Sequence, residues 1–249
     1  MNPLLSIIVP SYNACEQLKS CILSIQNQSF KNVEVLIMDA QSTDGTLAFL
    51  ETLQPPFYWT SEADNGIYDA MNKGIKKAKG QWLYFIGADD QLADDEVLTR
   101  VFENAIADAV ELLIGSIKYD FKANDARLVK QNNGVFVPKW SSKLWLKHTV
   151  HHQGLFYKHS LFKALQYDLN YKILSDYNLN LKLYNKQIQV KHLNTIVAIC
   201  GTDGVSKTYT WKLYAEDLRL KTENSSVLLQ PVFFVIVFLK FTLKKLKLI

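Results

Sequence analysis

The chain has 249 residues, 48% hydrophobic and 21% charged, with 28 Lys and Arg against 24 Asp and Glu for a formal net charge of +4. That length can bury a substantial core in one large domain or two small ones, and so mild a positive charge argues against a nucleic-acid partner. The three cysteines, Cys15, Cys21 and Cys200, form no CxxC pair, which argues against a disulfide framework or a cysteine zinc site and fits a reducing compartment.

The opening MNPLLSIIVPSYN has no basic leader, and its apolar stretch is too short for a signal peptide. Residues 6–9 (SIIV) predict a first strand, closed by Pro10. Residues 15–27 repeat Leu18, Cys21, Ile22 and Ile25 at the spacing of one helix face. Residues 33–38 (VEVLIM) predict a second strand ending at Asp39, and 43–53 a helix with Thr43 or Asp44 at its N-cap. A weaker strand follows at 57–60. A helix over 67–79 has Ile67, Ala70, Met71, Ile75 and Ala78 on one side and lysines on the other, and Gly80 is read as its stop. Residues 82–86 predict the fourth strand.

The second half is less regular. Residues 110–121 and 128–137 predict longer strands around a polar loop, with Asn133-Gly134 as a turn. A short strand at 155–157 is followed by a helix at 176–184 capped by Ser175 or Asp176, a strand at 190–199 and a helix at 207–223. The chain then reads VLLQPVFFVIVFLKFTLKKLKLI, with Lys240, Lys244, Lys245 and Lys247 at its end. This run is shorter than the roughly 20 apolar residues of a spanning helix, and Gln230 and Pro231 interrupt it. It suits the membrane interface, where anionic headgroups attract lysines. A helix covering the core with a solvated basic end is the alternative.

Strand and helix alternating at short intervals predict an α/β fold with parallel strands and crossover helices. Ligands of such sheets bind beyond the carboxyl ends of the strands, where Asp39 and the pair Asp89-Asp90 lie. There is no GxGxxG and no GxxxxGK[ST], so a phosphate ligand lacks its usual glycine cradle. A divalent cation could take that part, since magnesium-like ions are held by one or two carboxylates plus phosphate oxygens. The acids of GADDQLADDEV equally fit a helix start. The dipeptide alone leaves both open.

Four stretches in order, IIVPSYNACEQLKSCILSI, VLIMDAQSTDGT, SEADNGIYDAMNKGIKKAKGQWLYFIGADD and SDYNLNLKLY, resemble the family 2 glycosyltransferases of GT-A fold, the type that builds bacterial surface polysaccharide. The resemblance spans residues 4–205. It implies a Rossmann-like mixed sheet flanked by helices, to which the C-terminal helical tail read above is added. Residues 1–105 would be a nucleotide-sugar-binding half, 106–205 an acceptor-binding half of the same domain, and 206–249 a basic, membrane-associated tail.

The resemblance also implies roles. Pro10, Ser11 and Tyr12 would border the nucleotide, Asp39 would bond the base, and Ser42 and Asp44-Gly45 belong to the turn after it. Asp64 and Gly66 match the family's D-x-G stretch, and Asp69, Met71 and Asn72 the helix beside the donor. The family's metal motif is D-x-D. Here Gly87 replaces its first acid, which leaves Ala88 and Asp89 beside the donor and Asp89 and Asp90 for Mn2+ or Mg2+. Asp176 matches the catalytic base, which takes the proton of an acceptor hydroxyl in an inverting displacement. His152-Gln153 resembles a stretch beside the acceptor pocket, and CGTDGVSKT (200–208) a loop that closes over the diphosphate. His148, His151 and His152 have no further Cys or His at a metal-ligand spacing, so zinc is not expected. Trp140 and Trp145 fit core packing better than sugar stacking.

The implied partners are a nucleotide-sugar donor, most simply a UDP-sugar, a saccharide or lipid-linked acceptor, and the inner face of the plasma membrane from the cytoplasm. One rival is a family member without turnover that binds nucleotide sugar or a partner. Another is a nucleotidyltransferase, which would need a glycine-rich basic loop where this chain has PSYNACEQ.

Overall fold

A computed structural model describes residues 2–103, 106–120, 132–201 and 210–246. Its first half alternates β1 (Leu5–Ser11), α1 (Cys15–Gln26), β2 (Val33–Asp39), α2 (Thr46–Leu50), β3 (Phe57–Ser61), α3 (Ile67–Lys77) and β4 (Trp82–Phe85). Then come β5 (Gln91–Leu92), α4 (Val97–Phe102), β6 (Leu112–Tyr119), β7 (Val135–Phe136), β8 (Leu155–Lys158), α5 (Ser175–Asn185), β9 (Val190–Cys200), α6 (Trp211–Asn224) and α7 (Gln230–Lys245). The described strands form one mixed sheet in the order β3-β2-β1-β4-β8-β6-β9-β5, with β7 on β6. The pairs β3-β2, β2-β1 and β1-β4 are parallel, whereas β8 runs antiparallel between β4 and β6.

Side chains alternate across a strand, and both faces of this sheet are covered. Ile7, Val9, Val35, Ile37 and Tyr84 point to the face holding α1 and α4. Their neighbours Ile8, Leu36, Met38, Leu83 and Phe85 point to the face holding α3, α5 and α6. Each such buried side chain contributes roughly 1.5–3 kcal/mol of transfer free energy. That explains why the central strands read as unbroken apolar runs.

Several expected boundaries move. The helix expected over 43–53 shortens to α2, because Asp44 accepts from the Thr46 N–H and hydroxyl and from the Cys15 N–H while Gly45 takes a left-handed φ of 95°. Gly80 is not what ends α3. The chain is already extended at Ala78, where Glu34 accepts from the Lys79 N–H, and Gly80 lies so close to β1 that a Cβ there would meet the Ser6 nitrogen at 2.5 Å. Neither Ser175 nor Asp176 caps α5. Leu174 holds that position, and the Glu216 carboxylate of α6 accepts from the N–H groups of Lys172, Ile173 and Leu174.

Of the strand expected over 128–137, residues 128–131 lie outside the described residues, and β7 is the strand within the remainder. Asn133 and Gly134 do form a turn, with φ of 52° and 79°. Residues 202–208 of the expected glycine loop and Lys247 also lie outside. Pro231 does not interrupt the tail: it stands in the first turn of α7, where its missing N–H costs nothing. Residues 227–245 form a run long and apolar enough to cross a membrane, with a mean hydropathy of 1.9 and 11% buried.

Candidate active site

The parallel strands of the first half end along one edge, and their register brings Ser11, Asp39 and Ser61 side by side. Above this edge opens a hollow of about 510 Å³ bordered by Pro10, Ser11, Tyr12, Gln41, Asp64 and Gly66. Asp64 accepts from the Gly66 N–H, and Gly66 enters α3 with φ of 112°. Asp39 lies below this hollow. It is 2% exposed, accepting from Ser42 N–H and Oγ and from Ser61 Oγ at 2.6 Å. Ser42 also accepts from the Asn13 N–H, so it braces the loop.

The hollow therefore gathers Pro10, Ser11, Tyr12, Asp64 and Gly66 directly and Asp39 and Ser42 as support. Two expected residues are engaged elsewhere. Asp69 accepts from the Asn65 N–H and stands 3.8 Å from the Lys73 ammonium. Asn72 is 5% exposed and clamps the backbone of Tyr167 through both ends of its amide.

A second hollow, of about 360 Å³, shares Ile67 with the first and contains Asp89, Asp90 and Asp176. After β4 the chain turns at Gly87, where the Asp90 N–H returns to the Gly87 carbonyl at 3.1 Å. Ala88 turns into the core beneath β4. A Cβ at Gly87 would meet Asp89 Oδ1 at 2.8 Å and Asp90 Oδ2 at 2.9 Å. Both carboxylates thus fold back over the space that a side chain at 87 would fill. Asp90 is 4% exposed and accepts from Gln153 Nε2 at 3.0 Å and, more weakly, from the Gly201 N–H. Burial, and then repulsion from Asp89, pushes its pKa up. Two oxygen ligands leaning together over Gly87 suit a hard divalent cation whose other positions go to phosphate and water. The described residues hold no group of three His, Cys, Asp or Glu that could bind a metal alone.

Asp176 faces them from the first turn of α5. Its Oδ1 accepts from the Tyr177 N–H at 2.8 Å and from the Tyr68 hydroxyl at 3.1 Å. Its Oδ2 lies 3.2 Å from His152 Nδ1 and 3.8 Å from His148 Nε2. Burial acts to raise its pKa, but the two histidines and the Tyr177 N–H outweigh burial and hold it well below the usual carboxylate range. Burial pushes His148 down toward its neutral form.

The consecutive residues His152 and Gln153 tie the site together, one holding Asp176 and the other Asp90, on a 3₁₀ turn fixed by the Tyr84 hydroxyl on the Gln153 carbonyl. Tyr68, His148 and Lys172 line the same hollow and were not assigned there from the sequence, and Gly201, from the loop expected to close over the diphosphate, lines it too. His151 faces the Tyr119 hydroxyl at 2.9 Å and lines the same hollow, its ring centroid 5.6 Å from that of His148. Trp140 packs on Tyr184, and Trp145 stacks on Phe233 of α7 with ring centroids 5.6 Å apart.

Comparison with known proteins adds a family. Residues 6–166 match the model described as Glycosyl transferase family 2. A PGL/p-HBAD biosynthesis glycosyltransferase of Mycobacterium bovis is 30% identical over 233 residues, covering 88% of this chain and 86% of that protein. Among solved structures, Staphylococcus aureus TarS 1–349 in complex with UDP-GlcNAc superposes with a TM-score of 0.69 at 19% identity, over 98% of this chain and 73% of that one. The longer TarS chain is covered over 39% of its length. The mannosyltransferase PcManGT of Pyrobaculum calidifontis, in complex with GDP-Man and Mn2+, gives a TM-score of 0.60 at 17% identity, over 95% of this chain and 73% of its own. These likenesses carry the fold: a GT-A type sheet with helices on both faces and a C-terminal helix added.

Proposed function

The chain belongs to the family 2 glycosyltransferases, and from that premise we propose that it moves a sugar, with inversion, from a UDP-sugar to a lipid-linked saccharide in surface polysaccharide synthesis. The observation that carries the proposal is the meeting of Asp176 with the Asp89-Asp90 pair in one hollow that adjoins a second through Ile67. TarS, with UDP-GlcNAc, and PcManGT, with GDP-Man and Mn2+, support a nucleotide-sugar donor and a divalent cation. In this reading residues 1–105 hold the donor, with Tyr12, Asp64 and Gly66 around the nucleotide, and residues 106–205 hold the acceptor.

Asp89 and Asp90 would hold Mn2+ or Mg2+, which supplies positive charge to the diphosphate as it departs. The acceptor hydroxyl gives its proton to Asp176 while its oxygen bonds the anomeric carbon. The bond from that carbon to the diphosphate oxygen breaks on the opposite face, and UDP leaves with the electron pair. A carboxylate held low in pKa is a weak base, but it stays ionised across the working range. His152 and Tyr68 orient it, and Gln153 keeps Asp90 at a fixed distance from it.

The test is release of UDP from a panel of UDP-sugars with Mn2+, together with NMR of the product anomer. Turnover that requires Mn2+, inverts the anomer and is lost in Asp176→Asn would support the reading, and retention of configuration would overturn it. The absence of an acid at Gly87 favours a second reading, a binding protein without turnover. Binding of UDP with no turnover on any sugar would select it.

For the tail we propose attachment to the cytoplasmic face of a membrane. Phe233 and Val237 dock α7 on the domain, while Phe234, Val235, Phe238 and Leu239 are about half exposed. Deleting residues 226–249 should leave a folded protein that no longer sediments with anionic vesicles, and unchanged sedimentation would refute the attachment.

A further inference from the structure

Two hollows have a part in this reading, and a third has none. It measures about 410 Å³ and shares His148 with the second. Four lysines line it, Lys139, Lys143 and Lys147 from the segment before β8 and Lys240 from α7, and no Asp or Glu is among its lining residues. Lys139, Lys143 and Lys147 are exposed. Lys240 bonds the Leu146 carbonyl and stands 4.0 Å from Asp217. The rest of the wall is mostly apolar, including Val137 and Leu146, which are 56% and 48% exposed.

Charge therefore changes across His148: the middle hollow holds three aspartates and one lysine, Lys172, and the far one four lysines and no Asp or Glu. Ammonium groups crowded around one concavity repel each other unless an anion lies between them. A flat basic face would fit a bilayer surface, whereas a concavity of this size suits one headgroup. The exposed apolar face of α7 begins beside Lys240.

We propose that this third hollow binds a phosphate or diphosphate carried on an apolar chain, namely the phosphorylated end of the lipid-linked acceptor. The saccharide end then passes His148 to reach Asp176. This rests on the glycosyl-transfer reading above. It adds that the acceptor is anionic and that its phosphate is read by Lys139, Lys143, Lys147 and Lys240.

The test uses the full chain and its tryptophan fluorescence, since Trp140 and Trp145 belong to the same segment. Dodecyl phosphate is titrated below micelle formation, beside dodecyl maltoside, inorganic phosphate and phosphatidylglycerol vesicles. Wild type is compared with a variant carrying Lys139→Gln, Lys143→Gln and Lys147→Gln. Dodecyl phosphate should bind at least about tenfold tighter than the neutral detergent, weaken with salt, and lose about tenfold or more in the triple variant. Inorganic phosphate alone should bind far more weakly, for want of the apolar chain. Equal binding of the two detergents, or binding untouched by the substitutions, would overturn the proposal. Vesicle binding that falls in the variant while monomeric dodecyl phosphate never binds would also overturn it, assigning the lysines to the bilayer surface. UDP affinity and donor turnover on the same samples report on the glycosyl-transfer reading separately. Failure in both measurements together with dodecyl phosphate binding intact would sink that reading and leave the anion site standing.

Discussion

A side chain at position 87 would enter space already held by the Asp89 and Asp90 carboxylates, 2.8 and 2.9 Å from where its Cβ would stand. Those are the ends of movable side chains, so Gly87→Asp should fold with little change in Tm yet push both acids out of convergence. UDP release with Mn2+ is expected to fall, even though the substitution restores the family's first acid. A gain in turnover would show that the two remaining carboxylates do not converge on a cation. Asp176→Asn should keep the shape of the site and lower kcat by about 10²–10⁴-fold. His152→Phe removes a hydrogen bond that favours the ionised carboxylate. The pKa of Asp176 should therefore rise, and the acid limb of the kcat/KM profile should move to higher pH. A limb that stays in place would mean that His152 does not support the charge. Asp176 was legible in the sequence as a candidate through its motif, and His152-Gln153 through HQ. Tyr68 was not, because its partner lies 108 residues away and its own position reads as one more turn of an amphipathic helix.

Elements with a strong period were legible. The first four strands and α1 came through within a residue or two, since short apolar runs record strands covered on both faces and the 3.6-residue period records the buried face of a helix. Elements fixed by distant partners were not. The β5 strand is two residues long and exists because β9 offers Ile199 and Ala198 as an antiparallel edge. The start of α5 is set by Glu216, more than 40 residues further along the chain, whose carboxylate takes three successive backbone N–H groups at 2.7–2.9 Å. No local signal near Asp176 could report this. Glu216→Ala should cost about 1–3 kcal/mol of stability through orphaned donors at the helix entry. Because Asp176 sits in the first turn of α5, kcat should also drop while UDP affinity, which the proposed function assigns to residues of the first half, holds. Denaturant unfolding and UDP titration on one sample check both parts, and unchanged stability would mean that water replaces the cap freely.

At the scale of the molecule, the segment before β8 and the helices α6 and α7 meet around one buried cation. Lys221 of α6 is fully buried, with Asp217 at 2.7 Å and the Leu146 carbonyl at 3.3 Å, and Lys240 of α7 approaches the same Asp217. Burial lowers its pKa to about 8; the nearby Asp217 opposes that shift and Lys240 adds to it. The ordinary lysine value of 10.5 applies to the unfolded chain, so between pH 8 and 10.5 the unfolded state binds more protons than the folded state. Stability from this group therefore increases as pH climbs through that window. Other groups act against it at the alkaline end. Burial raises Cys21 and the tyrosines Tyr68, Tyr84, Tyr157 and Tyr167, so the unfolded chain releases those protons first and gains stability at high pH. The lysine is isolated by difference, using Lys221→Met, which keeps the stem and removes the charge. The stability of the methionine variant relative to wild type should fall between pH 8 and 10.5 by up to about 3 kcal/mol, the free-energy equivalent of the shift. A difference that does not change with pH would show that Asp217 holds Lys221 charged throughout, and the junction between tail and domain would then be an ordinary buried ion pair.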